Sequence, residues 1–156
     1  QASGRSNGLP LFDEKSKVVL YFKITARQKG NAKMFYKRDW ILRQIQMIAD
    51  MIAHAVFGTS AIAYMSENEV SPTETDQLYH KLDMLIEQKR IGEAEDCLLE
   101  FIEAGNKKHL ELAMDFYQKI NHLSDEELAE ANFPRQEIMD GVNYIIEKFG
   151  LTELVN

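Results

Sequence analysis

Hydrophobic and polar positions recur with a helical period along this chain from about residue 34 onward. Apolar residues return every three or four positions, the spacing that places them on one face of an α-helix. Turn and capping residues divide the pattern into segments, so the sequence predicts an all-α fold of about six helices in antiparallel hairpins. The predicted helices cover residues 39–57, 72–89, 93–104 and 107–120, and two more begin at Ser124 and Pro134.

Capping residues indicate where several of these helices begin and end. Asp39 stands where an N-cap would begin the first helix, and Gly58 stands where a left-handed residue would close it. Residues 71–74 (Ser-Pro-Thr-Glu) have the spacing of a capping box, with proline at the first helical position. Residues 124–127 have the same spacing and predict the start of the fifth helix.

The first predicted helix has a wide apolar surface. Its polar residues form one narrow stripe: Asp39, Arg43, Gln46, Asp50 and His54. Apart from Gln44, the other positions are apolar, which is more than a surface helix of a globular protein needs. We therefore expect one apolar side to stay exposed on a single chain and to pair with a second copy in a homodimer. The expected interface residues are Trp40, Leu42, Ile45, Ile52 and Phe57. In the alternative, the helices of one chain enclose this helix.

Residues 1–33 differ in pattern from the rest of the chain. Residues 17–25 (KVVLYFKIT) are β-branched and aromatic, and they form the only β-like run. Lys29-Gly30 can be encoded by codons that resemble a bacterial ribosome-binding site, a short distance before Met34. We therefore hypothesise that residues 34–156 are the helical domain and that residues 1–33 are an extension, encoded upstream or added artificially. A fused strand appendage is the alternative.

Charge is distributed unevenly, within a net charge of −7. Residues 1–33 carry +5, residues 34–66 carry +1, and residues 67–156 hold eight basic and 21 acidic residues, for −13. An acidic body repels phosphates and anionic membranes, so we expect neither nucleic acid nor membrane as a partner, and a basic protein or peptide instead. No apolar run is long enough to span a membrane, and the single Cys97 indicates a reducing compartment, so we expect a cytoplasmic protein.

The stretch LDMLIEQKRIGEAEDCLLEFIEAGN, residues 82–106, resembles a tetratricopeptide helix hairpin. Leu82, Leu85 and Ile86 stand at packing positions of its first helix, and Ala94 and Leu98 at those of its second. Phe101 and Asn106 depart from the pattern, where alanine and proline are usual. Residues 34–150 as a whole are similar to an uncharacterised bacterial family of small, tetratricopeptide-like helical proteins. This resemblance implies a shared fold, and it implies no catalytic residue.

Candidate chemistry is sparse. Asp76, His80 and Asp83 have the spacing that would let one helix face present all three to a divalent metal. Polar residues on a solvated helix face have the same spacing, and metal sites usually draw ligands from more than one element. Cys97 lies on the apolar face of its helix, as a small core residue does. The sequence contains no phosphate-binding glycine loop.

These features predict an interaction scaffold or adaptor without a cofactor, which binds a protein or peptide through helical surfaces. Recognition would place a helix in a groove or an extended peptide on the hairpin surface. The alternative is a metal-dependent enzyme of unknown reaction that uses Asp76, His80 and Asp83.

Overall fold

The computed structural model describes residues 34–67 and 69–156, and within them the protein consists of seven α-helices and no strand. The helices are α1 (Met34–Ile52, continued by a π-helical turn at Ala53–Phe57), α2 (Glu74–Glu87), α3 (Ile91–Phe101), α4 (Lys107–Asn121), α5 (Asp125–Glu130), α6 (Arg135–Lys148) and α7 (Thr152–Val155). The predicted all-α class is therefore confirmed, with one short C-terminal helix added. The predicted extension 1–33 lies outside the described residues, so the boundary at Met34 stays a prediction.

Helix α4 lies at the centre of the packing. It packs against α1, α2 and α6, while α1 also packs against α6 and α7, and α2 against α3. Most α4 side chains are buried, including Leu112, Met114, Phe116, Tyr117 and Ile120. Removal of this apolar surface from water drives the helices together. None of the helices in the described ranges is long and apolar enough to cross a membrane.

Helix α1 runs antiparallel to α4 and ends as the sequence indicates. The Asn121 side chain donates to the Leu42 carbonyl at 3.4 Å, and the Lys107 ammonium donates to the Val56 carbonyl at 3.2 Å. The first contact joins the end of α4 to the beginning of α1, and the second joins the beginning of α4 to the end of α1, so the two helices run in opposite directions. Gly58 follows the π-helical turn with a φ of 65°, a left-handed conformation that glycine adopts without a steric penalty.

Of the three predicted N-terminal caps, two are wrong and one is confirmed. Helix α1 begins at Met34, so Asp39 lies inside the helix and caps nothing. Helix α2 is capped by Thr73, whose hydroxyl accepts from the Asp76 N–H at 3.1 Å, rather than by Ser71. At Ser124 the predicted capping box is present: the serine hydroxyl accepts from the Glu127 N–H at 3.1 Å, and the Glu127 carboxylate accepts from the Ser124 N–H at 2.9 Å.

Candidate interaction surface

Helix α1 presents one side to the core and the other to solvent. Its buried side consists of Ile41, Ile45, Ile48, Ala49, Ile52 and Ala53. On the opposite side Trp40 is 51% exposed and Met47 is 48% exposed. These two residues are seven positions apart, which is nearly two full helical turns, so they share one face. We call the side that carries Trp40, Arg43, Met47, Asp50, Met51 and His54 the outer face of α1.

The predicted interface set is divided by the structure. Ile45 and Ile52 are 0% exposed in the single chain, so the expectation that they stay uncovered is wrong. Leu42 and Phe57 are half-buried, and Trp40 alone of the set is exposed. The reason is that α4, α6 and α7 all pack against α1 and together cover a wide arc of its surface. Met47 was missed, although its position four residues after Arg43 places it beside the polar stripe.

Polar groups on the outer face are only partly engaged. The Gln46 amide donates to the Asp50 carboxylate at 2.9 Å, and the His54 Nδ1 lies 2.9 Å from the Asp50 carbonyl oxygen. Arg43 is exposed, and it forms no hydrogen bond or ion pair with the residues that the structure describes. The outer face therefore offers solvent a large aromatic ring, a thioether and an uncompensated cation.

The residues of the alternative metal site are not brought together. Asp76 is buried, where it accepts hydrogen bonds from the Tyr64 hydroxyl at 2.7 Å and the Thr73 N–H at 2.8 Å. Asp83 forms an ion pair with Lys119 at 2.8 Å, and His80 is exposed. No group of three potential ligands in the described ranges has a geometry that could hold a metal ion. The metal-site interpretation therefore has no support in the arrangement of these side chains.

Tyr64 and Asp76 instead attach the connector between α1 and α2 to the body of the protein. The Tyr64 N–H donates to the Asp115 carboxylate at 3.1 Å, and its ring stacks on Tyr79 with centroids 4.7 Å apart. The Lys108 ammonium lies 4.6 Å from the Tyr64 ring centroid, within cation–π range. The hydrogen bond from the Thr73 N–H, followed by that from Tyr64, holds the pKa of Asp76 well below its usual range. Burial, with Asp76 nearby, raises the pKa of Tyr64. Both groups keep one protonation state and serve structure.

Lys119 forms a second polar junction, between α4 and α2. Its ammonium lies 3.0 Å from the Asp115 carboxylate and 3.1 Å from the Tyr79 hydroxyl, in addition to its contact with Asp83. Burial acts to lower the pKa of Lys119, but the hydrogen bonds with Asp83, Tyr79 and Asp115 outweigh it and raise the pKa. A lysine held protonated in this way is unsuited to act as a base or nucleophile.

Two further groups with possible chemistry are packed into the core. Cys97 is half-buried and packs against the core, as its place on an apolar helix face predicts. His109 is buried, and its Nδ1 accepts from the Glu103 N–H at 3.0 Å. Burial lowers the pKa of His109 from its ordinary value of 6.5, against an opposing effect of Glu103. The accepted hydrogen bond and the lowered pKa both indicate a neutral, structural histidine.

Comparison with known proteins agrees with the sequence resemblance at the level of a family. The model of a family described as "Family of unknown function (DUF6483)" matches residues 35–150. No curated protein and no solved structure matches the chain. The match covers all of α2 to α6 and nearly all of α1, and it supplies no assigned residue.

Proposed function

The chain belongs to DUF6483, a family of unknown function, and we propose that it works as an interaction module that binds another protein or a peptide through its helical surfaces. The observation that carries this proposal is the half-exposed Trp40 on the outer face of α1. Tryptophan is among the residues most enriched at the energetic centres of protein interfaces. It offers a large apolar area at a low entropic cost.

Met47 strengthens the proposal because it extends the apolar area along the same face. Its side chain is as exposed as Trp40, and a flexible thioether adapts to the shape of a partner. Together the two side chains form a short apolar strip with polar residues beside it. A strip of this kind supports contact with a partner better than it supports chemistry.

We further propose that a partner from outside this chain is basic. Glu93, Asp96 and Glu100 are exposed on α3 at spacings of three and four, so they share one helix face. Residues 67–156 carry a net charge of −13 in total. A field of this sign attracts basic segments and repels nucleic acid.

The tetratricopeptide-like arrangement of α2 and α3 is also a proposal. The two helices pack together. The turn between them contains a hydrogen bond from the Arg90 N–H to the Leu85 carbonyl at 2.8 Å. Leu82, Ala94 and Leu98 are all buried, as the resemblance implies. This support extends to one hairpin, which would present a surface for a peptide.

A selection from a library of random displayed peptides tests the proposal on the full chain. We expect the enriched peptides to carry an excess of Lys and Arg together with large apolar residues. A selected peptide is then titrated while the emission of Trp40, the single tryptophan, is recorded. A shift to shorter wavelength would place the peptide on α1, whereas binding without a shift would place it on another surface such as the α2–α3 hairpin.

Paired charge reversals supply the control for this experiment. Glu93→Lys with Glu100→Lys alters the acidic face of α3, and Glu130→Lys with Glu153→Lys makes the same change in net charge on α5 and α7. We expect the first pair to weaken binding more than the second. A library that yields no peptide above an unrelated acidic helical protein would refute the proposal.

A metal-dependent enzyme is not proposed as a second function. Asp76 and Asp83 are held by Tyr64, Thr73 and Lys119, and no observation in the described ranges favours their release.

A further inference from the structure

The outer face of α1 differs in charge from the acidic residues 67–156. Residues 38–66 hold two basic and two acidic residues, Arg38, Arg43, Asp39 and Asp50, for a net charge of zero. Residues 67–156 carry −13. Two copies of this acidic chain repel each other in most orientations. When the α1 face of one copy meets the α1 face of the other, the contacting faces are neutral and this repulsion is absent between them.

The sequence of charges along α1 is complementary to itself when the helix is reversed. Arg43 and Asp50 lie equally far from the midpoint between residues 46 and 47, about 5 Å along the axis on either side. They are seven positions apart and so lie on the same flank of the outer face. In an antiparallel pair with a two-fold axis at that midpoint, Arg43 of each copy therefore faces Asp50 of the other. This arrangement gives Arg43 the partner that it lacks among the described residues of its own chain.

The apolar residues of the outer face obey the same symmetry. Trp40 and Met51 are eleven positions apart, about three helical turns, and they share the flank opposite to Arg43 and Asp50. Their midpoint lies within one residue of the midpoint of the charged pair. The two-fold pairing therefore places Trp40 of one copy beside Met51 of the other, and Met47 beside its own copy at the centre. One register thus satisfies both the charged and the apolar flank.

We propose that the outer face of α1 binds a second copy of this chain in an antiparallel, two-fold pair, in which Arg43 meets Asp50 twice and Trp40 is covered. This inference rests on the proposed function, because it takes the outer face of α1 as the contact surface. It replaces Ile45 and Ile52, which lie in the core, with Arg43, Met47, Asp50 and Met51. A single-helix face lies below the roughly 800 Å² per partner of a standard stable interface, so the dimer is weak and reversible.

Sedimentation equilibrium of the full chain between about 1 and about 500 μM tests the pairing, since a weak dimer dissociates in the lower part of this range. We expect the mean mass to rise from monomer toward dimer, and the Trp40 emission to move to shorter wavelength over the same concentrations. A monomer mass throughout would overturn the inference. A dimer whose formation leaves Trp40 emission unchanged would also overturn it, because the contact would lie elsewhere.

Charge reversal tests the register and does not depend on any change in the core. Arg43→Asp and Asp50→Arg each place like charges opposite one another twice, so each variant alone should lose at least about tenfold in dimer affinity. A mixture of the two variants makes both pairs attractive again and should recover the dimer. Lys81→Asp, an exposed reversal on α2, is the control and should dimerise like the original chain.

The outcomes of these experiments separate the pairing from the proposed function. If the variants dimerise singly as well as the original chain does, or if their mixture stays monomeric, the proposed register is wrong. Met47→Asp provides a second variant at an exposed position and should also abolish the dimer. If the chain is monomeric while a selected peptide still shifts Trp40 emission, the homodimer fails and the interaction module stands. If neither is seen, both fail.

Discussion

Tyr117 illustrates how single side chains set the spacing of the helices. It is fully buried on α4, and its hydroxyl donates to the Glu95 carboxylate of α3 at 2.8 Å. Gly141 of α6 lies directly against the Tyr117 ring, where a Cβ atom would overlap the ring atoms. Three helices therefore meet at one phenol. The sequence shows the apolar face that contains Tyr117, but it does not show that a glycine two helices later makes room for the ring.

We expect Gly141→Ala to destabilise the protein by about 1–3 kcal/mol, because the added methyl group forces α6 away from Tyr117. Gly92→Ala on α3 is the matched control, since a Cβ at position 92 meets nothing. The control should be neutral or stabilising by up to about 1 kcal/mol, because alanine favours a helix over glycine. Urea unfolding measures both changes. Equal effects of the two substitutions would contradict the close approach at Tyr117.

His109 predicts how stability depends on pH. Its pKa is lower in the folded protein than its ordinary value of 6.5, so the unfolded chain binds the proton more readily. The stabilisation that the neutral, buried His109 gives to the folded protein is fully present above pH 6.5. It declines as the pH falls below that value, because the unfolded chain then gains the proton first. We expect the urea midpoint to fall between pH 7.5 and pH 5.5, at about constant m-value. His109→Gln keeps an acceptor for the Glu103 N–H but does not titrate, so it should lose most of this pH dependence. A dependence that persists in that variant would assign it to other groups.

At the scale of the elements, sequence signals succeed where they are local and fail where they compete. Gly58 and the Ser124–Glu127 box act within one turn of chain, and the structure confirms both. Residues 71–76 contain two overlapping capping boxes, from Ser71 and from Thr73. The box from Thr73 is the one that forms, because the Asp76 carboxylate also accepts a hydrogen bond from the Tyr64 hydroxyl. Tyr64 lies in the connector before α2, and the spacing of the capping residues does not reveal this contact.

Helix α1 shows the same division between what is local and what is not. Its helical character and its polar stripe follow from periodicity, and Arg43, Gln46 and His54 are exposed as the stripe predicts. The width of the covered arc depends on how many helices pack against α1, which is a tertiary property. That is why Ile45 and Ile52 were expected at the surface and are found in the core.

The α2–α3 hairpin permits a test of its proposed packing. Ala94 is completely buried on α3, where the resemblance places a small residue against the first helix of the hairpin. We expect Ala94→Leu to overpack this contact and to cost about 1–3 kcal/mol in unfolding free energy. Ala129→Leu, at an exposed position of α5, is the control and should change stability by less than about 0.5 kcal/mol. A loss of only about 0.3 kcal/mol in unfolding free energy for Ala94→Leu would contradict the tight packing of Ala94 against the first helix of the hairpin.

At the scale of the whole molecule, the described helices pack against one another, and in the described ranges no group of three potential ligands could hold a metal ion. The buried ionisable groups Asp76, Asp115 and His109 hold the connector and the helix ends in place. The large apolar side chains Trp40 and Met47 remain outside. Exposed apolar positions of this kind are hard to predict from one sequence, because they are defined by what the other helices leave uncovered.

The overall charge of the molecule distinguishes the two proposed kinds of contact. A basic peptide is attracted by the acidic body, so its association rate should fall as the salt concentration rises from about 10 mM to about 150 mM. Over this range the Debye length shortens from about 30 Å to about 8 Å.

The homodimer should respond to salt differently, because two copies of the chain carry −7 each and repel at long range. Salt screens that repulsion while it weakens the exposed Arg43–Asp50 pairs, which contribute only about 0–1 kcal/mol each. We therefore expect the homodimer affinity to stay constant or rise over the same range. Stopped-flow measurement of peptide association and sedimentation of the full chain, in the same buffers, give the two trends. Peptide association that is indifferent to salt would indicate a purely apolar contact, and a dimer that weakens as steeply as the peptide complex would show that charge attraction, rather than the strip of Trp40 and Met47, holds the copies together.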